Sequence, residues 1–272
     1  MGVNLEYYKS NLTLDNIKEY KLFLLVRRNS LSFFILHSKD SELVYFKNEL
    51  FSDGFESCLR ALYATDPVLS KFKELELLGL HASELTLIPE RLYNEEKQSA
   101  YFKDLMDLSK RQILSSLLPD EETRILYLVE QSTIELLEEY FEIGETVPNF
   151  QGLIRSANQN NQSYNLVVQL DHEELTIFYT EEGNIKFLNK FEFKSTTDVL
   201  YYILKVCSVL KLDTKKLSLD LTGHIGEDSE IYRTLYKYIF ELRLLKLEQN
   251  INIPLSDSEI HYFNDIFALL KK

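Results

Sequence analysis

The side chains that most often carry catalysis are few in this sequence and widely spaced. Its 272 residues include five histidines and two cysteines, and no two histidines stand four residues apart with a carboxylate partner, the spacing of a helical zinc site. The sequence also lacks a G-x-S-x-G nucleophile turn and a G-x-x-x-x-G-K-[ST] phosphate loop. Local motifs therefore predict no catalytic residue and no metal ligand. We expect structural roles for the histidines, which are His37, His81, His172, His224 and His261.

The remaining reactive groups have simple interpretations. Cys58 and Cys207 stand at corresponding positions of two predicted helices, on or near their apolar faces, where a thiol acts as a small core residue. The pair Arg27-Arg28 is either a solvated hairpin end or a contact for phosphate. Adjacent acidic side chains diverge, so we predict that most acidic pairs are solvated. These pairs include Glu121-Glu122, Glu138-Glu139 and Glu173-Glu174.

Charge and hydropathy exclude several classes of partner. Lys and Arg total 30 against 43 Asp and Glu, a net charge of −13, which disfavours binding to nucleic acid or to an anionic membrane. The longest apolar run, residues 199–204, is far shorter than the roughly 20 residues that span a bilayer. The first six residues match neither a signal peptide nor an acylation site. We therefore expect a cytoplasmic protein.

Two segments predict the same three-stranded meander, each with polar turns between short apolar runs. The predicted strands are residues 22–27, 31–37 and 43–47 in the first segment, and 165–170, 175–179 and 185–189 in the second. The first turns of the two meanders, residues 27–30 and 171–174, therefore occupy equivalent positions.

Helical and extended patterns alternate after each meander. Helices are predicted at 54–65 and 197–210, and each is followed by a strand, at 75–80 and 216–221. A further helix, strand and helix are predicted at 95–106, 124–130 and 133–141, and again at 230–238, 240–247 and 257–270. Residues 230–247 could also form one long helix. The last helix begins with a capping pair, Ser256 and Glu259. The first half also contains an extra strand at 85–89 and the segment 107–119.

The order β-β-β-α-β-α-β-α thus occurs twice, which indicates an α/β protein with two lobes around a cleft. Each lobe is expected to have a mixed sheet, antiparallel in the meander and parallel beyond it, with helices packed on it. A chain of this length favours about two domains at roughly 150 residues each. We predict a first lobe at 1–150, with an inserted strand and helix, and a second lobe at 151–272, with a polar loop at 155–163.

Three stretches carry a resemblance to known proteins: residues 83–93 with Glu95, Glu96 and Tyr101; residues 198–204 leading to 219–223 and 236–239; and residues 261–263 with 269–270. With the repeated topology, they resemble the actin-like ATPase (ribonuclease H-like) fold shared by actin, heat-shock chaperones and sugar kinases. More specifically, the chain is similar to an uncharacterised bacterial family, the domain of unknown function 3822. These are packing and turn patterns, so the resemblance implies a fold and carries no assigned reaction.

The resemblance also implies where a nucleotide would bind, because active members of this fold hold ATP with three loops between the lobes. Glycines let the backbone approach phosphate and aspartate holds Mg²⁺. The first turn has neither residue, and the second retains only Asp171. The third loop retains spaced glycines after Thr222, at Gly223 and Gly226, although a simple strand-to-helix turn explains them equally. We predict a degenerate nucleotide site with Asp171, Thr222, Gly223 and Gly226 as its remnant.

These observations favour a non-catalytic binding or scaffolding module without a cofactor, acting on an unidentified protein partner. The alternative is a divergent nucleotide-binding protein, a small kinase or ATPase that takes Mg-ATP, with Asp171 holding the metal and the 223–226 loop holding the base. A third possibility is assembly into dimers or filaments through the lobe faces. Aromatic residues fit either kind of protein contact, and one of Tyr201 and Tyr202 must lie away from the core.

Overall fold

A computed structural model of the chain describes residues 4–9, 14, 16–102, 107–159, 164–245 and 261–269. The strands are β1 (Leu5–Tyr8), β2 (Tyr20–Val26), β3 (Ser30–His37), β4 (Leu43–Leu50), β5 (Glu74–Leu80), β6 (Glu84–Pro89), β7 (Arg111–Leu117), β8 (Thr123–Glu130), β9 (Glu142–Pro148), β10 (Tyr164–Asp171), β11 (Glu174–Glu181), β12 (Asn184–Glu192), β13 (Ser218–Gly223) and β14 (Glu241–Leu244). The α-helices are α1 (Phe55–Thr65), α2 (Gln131–Glu138), α3 (Gln151–Gln159), α4 (Thr196–Leu210), α5 (Glu230–Leu235) and α6 (Asn264–Leu269).

The two large sheets have the same core order. The first runs β1-β4-β3-β2-β5-β9 and the second runs β12-β11-β10-β13-β14. In each, the three meander strands pair antiparallel and the next two strands pair parallel. The predicted mixed α/β sheets are confirmed. The two predicted turns connect β2 to β3 and β10 to β11, and all four of these strands lie in the interior of their sheets.

The central strands are apolar at almost every position because both faces of the first sheet are covered. Successive side chains of a strand point to opposite faces. In β2, Leu22 and Leu24 therefore join one core cluster, whereas Phe23 and Leu25 join the cluster on the opposite face. The continuous run of buried apolar residues is typical of a sheet between two layers of helices.

Helix α4 covers one face of the second sheet. It begins with a capping box in which the side chains of Ser195 and Asp198 bond to each other's backbone amides, an arrangement that stabilises a helix start by about 1 kcal/mol. Val199, Ile203 and Cys207 point from this helix into the core of the second half.

Helices α3 and α6 pack against each other and contact both sheets, in the second sheet on the face opposite that covered by α4. Phe263 and Ile266 pack against the first sheet although they come from the end of the chain. The helices approach closely at Gly152, where a Cβ atom would lie 2.4 Å from the backbone nitrogen of Leu269. The predicted division into lobes at 1–150 and 151–272 stays a prediction, and α3 begins at that division.

Several predicted elements were wrong in type or in place. The predicted sheet strand at 124–130 forms β8 of a separate antiparallel sheet, with the order β6-β8-β7. The strand that extends the first sheet is instead β9, which the sequence analysis missed. Residues 155–159 of the predicted loop belong to α3, because Leu153, Ile154 and Ala157 of this helix are buried.

The remaining helices are shorter than predicted. The predicted helix at 95–106 is a 3-10 helix at Glu95–Tyr101 in its described part, and the helix predicted at 230–238 ends at Leu235. The last helix is preceded by a 3-10 turn at His261–Phe263, and its predicted capping pair, Ser256 and Glu259, lies outside the described residues. Among the helices that the structure describes, none is long and apolar enough to cross a membrane.

Candidate functional site

Neighbouring parallel strands end side by side in the second sheet, and this brings three of the four predicted site residues together. Asp171 is the last residue of β10, and Thr222 and Gly223 end β13. Gln169 lies opposite Thr222, and Leu170 lies opposite Gly223. Ligands commonly bind at the carboxyl ends of such strands, so the predicted location is a reasonable place for a site.

Gly223 is required by backbone packing at this point. Its φ is +84°, and a Cβ atom would lie 2.1 Å from the carbonyl oxygen of Leu170. That same oxygen accepts a 2.8 Å hydrogen bond from the amide of His224. Gly226 is less constrained, because its Cβ would meet only the flexible side chain of Asp228 at 2.7 Å. The turn interpretation thus accounts for Gly223, and ligand contact stays a prediction.

The side chain of Thr222 is bound by the chain itself. Its hydroxyl donates to the carbonyl oxygen of His261 and accepts a bond from the Asn264 amide, both at 3.0 Å. The His261 ring in turn bonds to the carbonyl oxygen of Ile225. The segment around His261 therefore covers the end of β13, where the resemblance places the base of a nucleotide.

Asp171 carries a negative charge in a largely buried place. Burial alone raises the pKa of a carboxyl group, but the neighbouring His224 ring and the Arg27 guanidinium outweigh it and lower the pKa of Asp171 to about 2. Its Oδ1 atom lies 3.3 Å from Nδ1 of His224, and the two side chains are 12% and 15% exposed. Asp171 is thus ionised at neutral pH.

Two histidines join Asp171, although the sequence analysis assigned both a structural role. One ligand-type atom each of Asp171, His172 and His224 lies within 4.8 Å of the others. The two rings meet edge to face, with centroids 4.8 Å apart. His172 occupies the turn with a φ of +41°, a conformation in which histidine is enriched among non-glycine residues. A signal for this cluster was present, because the histidines stand two and three residues after the predicted strands at 165–170 and 216–221, and in the structure each directly follows the last residue of its strand.

The first turn is closed by an ion pair that the sequence analysis did not predict. Arg27 donates two bonds to Asp265, at 2.8 and 2.6 Å, and the two side chains are only 5% and 2% exposed. Gln169 donates a further 3.0 Å bond to Asp265. The interpretation of Arg27 as a solvated hairpin end is therefore wrong, because helix α6 brings a buried carboxylate to it. Arg28 is exposed and pairs with Glu192 at 2.8 Å.

A second buried network joins the two halves of the molecule. Lys190 lies 2.5 Å from the carboxylate of Glu174 and donates a 2.7 Å bond to the carbonyl oxygen of Ala82. His81 lies 3.1 Å from both oxygens of Glu174. Burial alone raises the pKa of Glu174, but His81 and Lys190 outweigh it and hold the pKa below its usual range. The prediction of solvation is thus wrong for Glu174, because strand β12 supplies a buried lysine.

The two cysteines offer no reactive thiolate. Both lie on helices, Cys58 half-buried and Cys207 buried. Burial raises the pKa of each thiol to about 11, so both are protonated at neutral pH. This agrees with the interpretation of both residues as part of the packing.

Exposed aromatic side chains cluster in sequence at the turn before β14. Tyr236, Tyr238 and Phe240 are 66%, 51% and 68% exposed. On α4, Tyr201 is also exposed, whereas Tyr202 stacks on Phe191 with ring centroids 4.6 Å apart. The expectation that one residue of the Tyr201-Tyr202 pair lies away from the core is therefore confirmed.

Comparisons with known proteins agree with this architecture. The model of a family described as protein of unknown function (DUF3822) matches residues 9–242, whereas no curated protein matches the sequence. A Bacteroides thetaiotaomicron protein with an actin-like ATPase fold and unknown function is similar in structure, with a TM-score of 0.80, 19% identity, and 96% of this chain and 99% of that chain covered.

Two further solved structures are similar at lower identity. A chain of the PilM-PilN type IV pilus biogenesis complex has a TM-score of 0.64 at 8% identity, covering 92% of this chain and 97% of its own length. The ethanolamine utilization protein EutJ from Carboxydothermus hydrogenoformans has a TM-score of 0.50 at 11% identity, covering 97% of this chain and 92% of its own. At these identities the comparisons establish the fold alone.

Proposed function

The chain belongs to the family described as protein of unknown function (DUF3822) and has an actin-like ATPase fold, and we propose that it is a non-catalytic binding or scaffolding module. The buried pair between Arg27 and Asp265 is the observation that carries this proposal. The equivalent turn of ATP-binding members of the fold approaches phosphate. Here the Arg27 guanidinium of that turn already donates two hydrogen bonds to the carboxylate of Asp265 in the same chain.

Electrostatics at the second turn support the same conclusion. Asp171 is ionised, and the exposed Glu173 follows it, so the turn presents acidic groups where a triphosphate would need donors. Like charges repel more strongly in a partly buried site than in water. Arg28, the nearest exposed cation of the first turn, is paired with Glu192. A triphosphate placed between these turns would therefore meet carboxylates and cations that are already paired.

We further propose that the partner is a protein. A similar fold occurs in a chain of the PilM-PilN complex, which is a protein–protein assembly. In this chain Tyr236, Tyr238 and Phe240 expose large apolar rings, and aromatic residues are enriched where proteins meet. The expected cytoplasmic location also stays a proposal.

Isothermal titration calorimetry with Mg-ATP and Mg-ADP tests the non-catalytic proposal directly. The protein, shown to be folded by circular dichroism, is titrated up to millimolar nucleotide. We expect no binding heat and no nucleotide-dependent shift in melting temperature, since a ligand that binds only the folded state would raise it. Turnover of nucleotide by the purified protein would overturn the proposal.

The alternative function, a divergent nucleotide-binding protein, predicts that Mg-ATP or Mg-ADP does bind. The contribution of Asp171 to that binding can be tested by mutation. Binding with a micromolar constant that is lost in Asp171→Ala, and kept in the exposed control Asp213→Ala, would support it. Binding that survives Asp171→Ala would remove Asp171 from the site, and turnover of the bound nucleotide would still be needed to overturn the non-catalytic proposal. Either form of binding would move attention to hydrolysis.

A further inference from the structure

Three buried polar atoms that make no well-directed hydrogen bond lie together at the second turn, and two of them face each other as an ion pair at 3.3 Å. They are Oδ1 of Asp171, Nε2 of His172 and Nδ1 of His224. Leaving one such atom unsatisfied costs about 1–3 kcal/mol, and buried polar groups in proteins are rarely left so. Because the three atoms belong to neighbouring side chains, a single shared ligand would satisfy all of them.

The chemistry of these atoms narrows the class of ligand. The carboxylate oxygen has a lone pair, and each ring nitrogen has one when the ring is neutral with its proton on the other nitrogen, so all three atoms can then bind a cation. Two imidazoles and one carboxylate suit divalent zinc, iron, cobalt and nickel, whereas Mg²⁺ and Ca²⁺ prefer sites made only of oxygen atoms. The nucleotide hypothesis assigned Asp171 to Mg²⁺. Together with the rings of His172 and His224, Asp171 instead forms a site that suits a transition metal.

We propose that Asp171, His172 and His224 bind one divalent transition-metal ion, with Zn²⁺ the best match to three protein ligands. This proposal is independent of the proposed protein-binding function. Ligands about 2.1 Å from a tetrahedral zinc ion are separated by about 3.4 Å. The 3.3 Å between Oδ1 of Asp171 and Nδ1 of His224 already has this value.

The surrounding backbone fixes two of the three ligands. Asp171 ends β10, and the amide of His224 bonds to the Leu170 carbonyl oxygen at 2.8 Å, so the two ligands are held by paired strand ends. His172 lies on the turn itself, and its side chain would have to rotate to shorten the remaining separations from the present limit of 4.8 Å. The site thus needs a side-chain adjustment and no change of fold.

The nearby cation does not prevent metal binding. Arg27 is close enough to Asp171 to lower the pKa of that carboxyl group, and a second positive charge beside it would be repelled. Asp265, however, accepts two hydrogen bonds from Arg27 and neutralises it. His261 is not a fourth ligand, because its Nε2 atom is bonded to the carbonyl oxygen of Ile225.

Titration of the full chain with Co²⁺ and Zn²⁺ tests the proposal. The protein carries no polyhistidine tag and is first treated with a chelator. We expect one equivalent of Co²⁺ to bind with visible absorption bands, Zn²⁺ to displace it, and Mg²⁺ to leave the bands unchanged. His172→Ala and His224→Ala are each expected to weaken binding at least about tenfold, which corresponds to about 1.4 kcal/mol.

His37 supplies a matched control, since its Nδ1 atom lies 2.8 Å from Asp40 on the surface without a second histidine. We expect His37→Ala to bind Co²⁺ as the unchanged chain does. The proposal is overturned if the unchanged chain binds no Co²⁺ or Zn²⁺, if binding survives the double variant of His172 and His224, or if His37→Ala removes it. Should His224→Ala fail to fold, His172→Ala, which lies in the turn outside both strands, decides the question.

Discussion

The first turns of the two meanders occupy the same place in their sheets and are built in opposite ways. The amide of Arg27 bonds to the carbonyl of Ser30 at 2.9 Å, and Asp171 pairs with Glu174 in the same manner across β10 and β11. In the first turn the buried charge is satisfied by Asp265. In the second turn, three buried atoms of the carboxylate and the two imidazoles make no hydrogen bond, although two of them lie 3.3 Å apart as an ion pair.

This difference suggests that the polar groups of the first turn stabilise the fold and those of the second turn bind a ligand. A buried ion pair with good geometry is satisfied within the fold, whereas a cluster of buried polar atoms without hydrogen bonds is explained by strain, by a functional role, or by a bound water or ion. The two equivalent turns are therefore expected to respond differently to mutation. Residues of the first should matter for stability, and residues of the second should matter for binding.

The largest effect is expected from breaking the ion pair of the first turn. Asp265→Ala leaves Arg27 as an uncompensated buried charge, which should lower the free energy of unfolding by about 3–5 kcal/mol. Urea denaturation followed by circular dichroism measures this loss. The double variant Arg27→Met, Asp265→Leu removes both charges, and we expect it to be more stable than Asp265→Ala alone.

The adjacent arginine provides the control for that experiment. Arg28 forms an exposed pair with Glu192, so Arg28→Ala should change the free energy of unfolding by less than about 1 kcal/mol. If Asp265→Ala were no more destabilising than Arg28→Ala, the pair between Arg27 and Asp265 would not hold the first turn, and the comparison between the turns would lose its first half.

A smaller effect is expected from the glycine that supports the second turn. Gly223→Ala places a Cβ against the Leu170 carbonyl oxygen at 2.1 Å and at a φ of +84°. We expect a loss of about 2–5 kcal/mol, since backbone strain contributes about 1–2 kcal/mol and overpacking about 1–3 kcal/mol. The loss should be accompanied by weaker Co²⁺ binding, because the close approach of Gly223 to Leu170 holds Asp171 and His224 next to each other.

A substitution at Gly183 separates the contribution of backbone strain from that of overpacking. Its φ is +79°, and no atom lies within 4 Å of a Cβ placed there, so Gly183→Ala should show the conformational part alone, about 1–2 kcal/mol. Equal losses for Gly183→Ala and Gly223→Ala, measured by urea denaturation, would mean that the close approach to Leu170 contributes nothing.

Much of the fold was predictable because its local patterns and its packing agree. The apolar runs at 22–27 and 165–170 predicted central strands, and both are buried on two faces. The helix α3 was not predictable from its polar residues 155–159, because what holds it is contact with α6 at Gly152. A contact with a distant segment has no signature in the local sequence.

The candidate site divides in the same way. Asp171 and Gly223 were found because the resemblance to the actin-like fold implies binding loops just after the predicted strands at 165–170 and 216–221, and parallel pairing places such loops together. The histidines were tested only for the spacing of ligands along one helix, so the spatial pairing of His172 with His224 was missed. The partner of Arg27 was beyond any local pattern, since Asp265 is 238 residues away in sequence.

The smallest effect on stability, and the sharpest test of the comparison, is expected for His172→Asn in chelator-treated protein. Asparagine also tolerates the left-handed backbone at a φ of +41°, and the substitution removes a ring nitrogen that is buried without a partner. We therefore expect the free energy of unfolding to change by less than about 0.5 kcal/mol while Co²⁺ binding is lost. Arg28→Asn, at the equivalent place of the first turn, should leave Co²⁺ binding unchanged. A loss of stability as large as that of Asp265→Ala would show that the second turn serves the fold as the first does, and the contrast between them would fail.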